Sequence, residues 1–130
     1  MLPLTVEWIT KAEADFATAT REVRARSAPN YDAACFHAQQ CAEKYLKARL
    51  QAAGIPFSRT HDLVALVQRI QPPEPTLLAL IPALHLLSAF GVAFRYPGAT
   101  ADRAMARDAL KQCQQVRAAL RANLGLPLTP

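Results

Sequence analysis

The stretch Phe36-His37-Ala38-Gln39-Gln40-Cys41-Ala42-Glu43-Lys44-Tyr45-Leu46-Lys47-Ala48 decides the fold, because it is the middle of the longest uninterrupted helical pattern in the chain. At about 100° per residue, Cys35, Ala38, Ala42 and Leu46 share one narrow face, whose small residues let another helix approach closely. His37, Gln40, Lys44, Lys47 and Gln51 recur on the opposite face, so two cations, two amides and one titratable ring point the same way. Spacing alone leaves two uses open for that face, an ordinary solvated surface or a polar groove.

A chain of 130 residues supports one domain around one core. An apolar fraction of 52% argues for a folded globule; with four glycines, abundant alanine and leucine and no alternating β-branched run, the class is all-α. A net charge of +5 and a pI near 9.5 favour an anionic partner, whether nucleic acid, nucleotide or acidic protein. Cys35, Cys41 and Cys113 lie inside helical patterns without C-x-x-C spacing and read as small core residues in a reducing compartment. No Cys/His cluster has ligand spacing, so neither a metal nor a cofactor is expected. Met1-Leu2-Pro3-Leu4 leads straight into Glu7, Lys11, Glu13 and Asp15, unlike a secretory signal. The apolar run from Leu77 to Phe94 contains Pro82, His85, Ser88 and Gly91 and reads as a buried helix rather than a membrane span, so a cytoplasmic location is expected.

Outward from the central stretch, the first helix is predicted from Leu4 to about Arg26, capped by Thr5. Ile9, Ala12, Phe16, Ala19 and Val23 form its apolar stripe, Trp8 anchors it in the core, and Lys11, Asp15, Thr18 and Glu22 face water. Ser27-Ala28-Pro29 breaks the pattern, Asn30 caps the second helix, and Gly54-Ile55-Pro56 stops it near Ala53. Thr60 caps a short third helix ending near Ile70, with Asp62 in its first turn, before the stiff exposed linker Gln71-Pro72-Pro73-Glu74-Pro75. From Thr76 to Phe94 nearly every residue is apolar, which predicts burial on more than one side, with Pro82 kinking the helix or marking its true start. In so small a chain such a helix implies a homodimer. Arg95-Tyr96-Pro97-Gly98 forms a turn, and Thr100 caps a last helix reaching about Asn123. Met105, Ala109, Cys113, Val116 and Leu120 make its core stripe, while Arg103, Arg107, Lys111, Arg117 and Arg121 form a basic strip that could track phosphates or simply be solvated. Residues 1–125 therefore form the domain, and 126–130 a frayed tail.

Three separated pieces then coincide: Phe36-His37-Ala38-Gln39-Gln40 with Glu43-Lys44 and Leu46-Lys47-Ala48, Thr60-His61-Asp62-Leu63, and Arg95-Tyr96-Pro97. With Trp8-Ile9 and Lys11-Ala12 near the start, their order resembles the HEPN domain family across nearly the whole chain. That resemblance implies an antiparallel bundle of four or five helices, commonly dimeric, that binds nucleotides or RNA. Many bacterial members pair with a minimal nucleotidyltransferase in two-gene toxin-antitoxin modules. Others are metal-independent endoribonucleases that use an Arg-x4-6-His motif, in which histidine moves a proton and arginine stabilises phosphate charge. Here Arg26 is too far from His37, Arg59 too close to His61, and Arg69 too far from His85; after Arg95 the positions needed carry Thr100, Ala101 and Asp102. A non-catalytic or weakly catalytic binding module is thus the first expectation, a ribonuclease toxin with a rearranged site the second, and a protein-interaction scaffold the third.

The candidate nucleotide- or phosphate-binding residues are His37, Gln40, Lys44, His61, Arg95 and Tyr96. Lys44 offers a point charge to phosphate and Gln40 an amide to base or ribose, while Arg95 can clamp phosphate and Tyr96 stack on a base. The structural alternatives are local hydrogen bonding for His61, pairing of Arg95 with an acid such as Glu43, and packing of Tyr96 across the bundle. A site joining Arg95 of one subunit to His61 of another is a further arrangement.

Overall fold

The computed structural model describes residues 1–129; Pro130, the end of the tail expected to fray, lies outside them. Among the described residues six helices follow one another: α1 (Pro3–Arg24), α2 (Tyr31–Ala52), α3 (Leu63–Gln68), α4 (Pro75–Leu78), α5 (Ile81–Ala93) and α6 (Arg103–Asn123). Among the described residues there is no strand, so the expected all-α class holds. The short α4, split from the start of the predicted fourth helix, makes the count among the described residues six where four or five were expected.

α2 is the axis. No residue from Tyr31 to Gln51 is exposed, because α1, α5 and α6 all pack on it. Its predicted narrow face is buried: Cys35, Ala38, Ala42 and Leu46 are all inaccessible to solvent. Contacts of Asp15 with His37 and of Trp8 with Lys47 set α1 antiparallel to α2, whereas Asp32 with Ala101 and Arg49 with Asn123 set α6 parallel to it. Among the described residues no helix is long and apolar enough to cross a membrane.

The helix boundaries correct three expected caps. Pro3 occupies the first turn of α1, a position where its missing N–H costs nothing. Thr5 therefore lies inside that turn, buried, with its hydroxyl unpartnered. Asp62 and Asp102, not Thr60 and Thr100, cap α3 and α6 by accepting from the Ala65 and Met105 amides. Aspartate is the stronger N-cap, and these two stand immediately before the helical residues. Asn30 caps α2 as expected, accepting from Ala33, and Gly54 follows its end at φ +70°.

The apolar stretch after the prolines also differs from expectation. It is two helices, and Pro82 stands in the first turn of α5, so it marks a start. α5 is buried on one side only, through Ala83, Leu84, Leu87 and Gly91, while Pro82, His85, Ala89, Val92 and Ala93 are exposed. In α6 the core stripe contains Ala106, one turn before Leu110, and Met105 is 39% exposed. The linker is exposed at Gln71, Pro72 and Pro73, but Glu74 bonds Arg49 and Asn123.

Candidate functional site

The site begins with a close approach of two helices. A Cβ added to Gly91 would stand 2.6 Å from Gln39 Cγ, so glycine is what lets α5 lie this tightly on α2. That approach carries Arg95, just past the end of α5, to α2, where its guanidinium carbon lies 5.3 Å from the centre of the Phe36 ring. On one side of this stack opens a cleft of about 380 Å³ lined by Asn30, Asp32, Phe36, His37, Phe90, Phe94 and Arg95. On the other lies a crevice of about 30 Å³, one water's worth, between Gln40, His61, Ser88 and Arg95. Phe36, Gly91 and Arg95 line both.

Each space is served by an imidazole held by a buried carboxylate. His37 Nδ1 lies 2.7 Å from Asp15 Oδ1, and Asp15 Oδ2 accepts from Lys44 Nζ at 2.5 Å. His61 Nδ1 lies 2.8 Å from Glu43 Oε1, which also accepts from Gln39 at 3.1 Å, while Glu43 Oε2 accepts from Lys47 at 3.1 Å. Lys47 in turn lies against both the Trp8 and Phe57 rings, 5.7 and 5.8 Å from their centres. A carboxylate can only accept, so each Nδ1 carries the proton and each Nε2 remains for a ligand.

Of the predicted residues, His37 and Arg95 line the cleft, and Gln40, His61 and Arg95 line the crevice. Lys44 lines neither and is committed to Asp15; Tyr96 lines neither and is 73% exposed. The alternative pairing of Arg95 with an acid such as Glu43 is not made: Arg95 stacks on Phe36, and Gln39, Lys47 and His61 already satisfy Glu43. Asp15, expected in water, is buried with two partners. Asp15, Phe36 and Gly91 were not among the predicted site residues; a glycine inside an apolar helix was the one local signal of a close backbone approach.

Across residues 5–123 the sequence matches the HEPN domain. The chain belongs to the HEPN domain family. The same fold is present in solved structures: the Thermus thermophilus protein TT1696 is similar with a TM-score of 0.80 at 24% identity, covering 93% of this chain and 98% of that one. An archaeal HEPN homologue is similar with a TM-score of 0.72 at 23% identity, covering 92% and 97%. No curated protein matches the chain.

In this HEPN domain the predicted basic strip divides. Arg103, Arg107 and Lys111 are exposed, but Arg117 and Arg121 turn inward. Arg117 stands one turn beyond Cys113 and Arg121 one turn beyond that, at the edge of the buried face, where Glu13 draws them in. Arg117 grips Glu13 with two bonds of 2.7 and 2.8 Å; the buried Tyr45 hydroxyl donates to Glu13 and accepts from Arg121 at 2.9 Å. Burial alone would raise the Glu13 pKa, but the bonds from Arg117 and Tyr45 and the charges of Arg117 and Arg121 outweigh it and hold the carboxyl below its ordinary value. Burial and the adjacent Glu13 push the Tyr45 phenol upward. Burial likewise raises the Cys35 thiol to about 11, which makes it an inert core residue.

Proposed function

We propose that this HEPN domain binds a nucleotide or an RNA phosphate in the cleft between α2 and α5, as one half of a pair with a minimal nucleotidyltransferase. The observation that carries the reading is Arg95 laid over Phe36 at the wall of a cleft lined by Phe90, Phe94 and His37. A guanidinium there offers two parallel donors to phosphate, the rings offer a surface for a base, and His37 Nε2 adds a third polar contact. Lys44 acts through Asp15, by fixing the ring of His37. The protein is expected to form a homodimer through the exposed apolar side of α5.

The test is a titration with a fluorescent ATP analogue. Arg95→Ala should weaken binding about tenfold or more, in line with loss of a charge-assisted contact. Lys44→Met should weaken it less, and equal binding by Arg95→Ala and the parent protein would overturn the assignment.

A second reading has its own observation. His61, oriented by Glu43, shares the crevice with Arg95 inside one chain, so the two residues need not come from different subunits. An imidazole to take the 2′-hydroxyl proton beside a cation for the phosphate is the pair that metal-free RNA cleavage requires. RNA cleavage in the presence of chelator, abolished by His61→Ala, is its expected outcome; intact RNA across pH 5–9 would remove this reading.

A further inference from the structure

Lys44, Lys47, Arg49, Arg117 and Arg121 are spent on acids inside the fold. Arg21, Arg24, Arg103, Arg107 and Lys111 are different: all are exposed, and none forms an ion pair among the described residues. The faces on which they stand are covered by no other helix. On α1, Thr10, Ala14, Ala17, Arg21 and Arg24 recur at steps of four and three, and all are exposed. On α6, Arg103, Arg107, Lys111, Gln114 and Ala118 recur in the same way, and only Ala118 is partly covered.

The two faces flank one seam. α1 meets α6 where Glu13 and Phe16 touch Arg117, and the two helices run antiparallel. Arg24 lies eleven residues on from Glu13, and Ala106 eleven back from Arg117, so Arg21 and Arg24 come level with Arg103 and Arg107. By the same count Ala14 and Ala17 come level with Gln114 and Ala118. The outer groove between the helices is therefore graded along its length, small and uncharged in one half and basic in the other. From Thr10 to Arg24 it runs about 21 Å, the length of a four-turn helix. The acids near the basic half are occupied: Glu22 by the Asn30 amide, Asp102 by the Met105 amide and Asp108 by the Gln112 side chain.

We propose that this groove docks an acidic amphipathic helix of another protein. The small side chains let a third helix lie close to α1 and α6 at once, and carboxylates further along it meet the arginines, whose planar forks grip them bidentately. Other occupants fit less well. A second copy of this chain brings no acidic face, since its exposed acids, Glu7, Asp62 and Asp102, stand at the starts of three different helices. An anionic membrane would need large apolar side chains to hold, and the face carries alanine and threonine instead. A nucleic acid would find no rings for its bases on either face and no cations for its phosphates along the neutral half. The groove shares no residue with the cleft or the crevice, so the inference stands apart from the nucleotide reading.

The probe is a fluorescein-labelled helical peptide of about four turns, with alanine and leucine along one face and glutamates flanking that face over half its length. A second peptide carries glutamine in place of every glutamate, and each is titrated against the full chain by fluorescence anisotropy. The acidic peptide should bind at least about tenfold tighter than its glutamine counterpart, and Arg24→Gln/Arg107→Gln should remove most of that difference. Ala17→Trp fills the groove without touching a charge and should also weaken the acidic peptide, by about tenfold. Both variants should keep the helical signal of the parent protein, because every substituted residue is exposed. Equal binding of the two peptides, or binding of neither, would overturn the proposal. Unstructured polyglutamate that binds as tightly as the acidic helix and ignores Ala17→Trp would overturn it too, since charge alone would then suffice. Short single-stranded RNA or phosphatidylglycerol vesicles that bind more tightly than the acidic peptide, and lose that binding in the double arginine variant, would assign the surface to those ligands and overturn it as well.

Discussion

Tyr45 shows what one buried hydroxyl does here. It is inaccessible to solvent and stands between Glu13 and Arg121, so it both donates and accepts. Tyr45→Phe keeps the ring but strips each neighbour of a partner, and should cost about 1–3 kcal/mol in urea unfolding. The same cluster sets a pH dependence with two limbs. The Glu13 pKa is depressed on folding, so its contribution is full above the ordinary carboxylate value of 4.5 and is lost as pH falls through the lower folded value. Tyr45 is raised on folding, so its contribution is full below 10 and is lost as pH climbs above that point, where the unfolded chain ionises first. Urea unfolding at pH 2–6 should therefore show a shallower acid limb in Glu13→Gln than in the parent protein. None of this was legible in the sequence. Glu13 and Arg117 are 104 residues apart, and a basic residue at the edge of a helical stripe turns inward only because another helix brings an acid to it.

At the scale of the helix, legibility was high and had a physical limit. The breaks at Ser27-Ala28-Pro29 and Gly54-Ile55-Pro56, the Asn30 cap and the burial of the narrow Cys35, Ala38, Ala42 and Leu46 face of α2 all follow from local chemistry, and the structure has each of them. Which of two neighbouring capping residues a helix uses was less accessible, since Thr60 and Asp62, or Thr100 and Asp102, satisfy the same pattern. The structure makes this testable: Asp102→Ala should cost about 1 kcal/mol and Thr100→Ala close to nothing in thermal unfolding. Packing between helices is more demanding still. Gly91→Ala gains about 1 kcal/mol of helix propensity, but the new methyl group collides with Gln39 and should cost about 1–3 kcal/mol of overpacking. A net fall in melting temperature is expected. Weaker binding of the ATP analogue should accompany it, because α5 carries Arg95 to Phe36.

For the molecule as a whole, the sequence singled out residues that the fold brings near one another better than it found their partners. His37, Gln40, His61 and Arg95 do meet around Phe36 and Gly91, whereas Lys44 spends its charge on Asp15, 29 residues away, a pairing no local pattern encodes. The all-round apolar character of α5 likewise has two causes, and the structure separates them. One side fills the core through Leu84 and Leu87; the other leaves Pro82, Ala89, Val92 and Ala93 in water, and apolar surface of that kind is stabilised by being covered. If a second copy of the chain covers it, a charge placed there should act on assembly and not on the fold. Ala89 suits the test, because it is exposed and lines neither the cleft nor the crevice. Ala89→Glu should shift the protein from dimer to monomer in light scattering, leave its far-ultraviolet helical signal unchanged, and retain binding of the ATP analogue within one chain. Dimers that persist at the same protein concentration would place the contact on another face. Loss of nucleotide binding together with the dimer would mean that the cleft is completed across the interface rather than within α2 and α5.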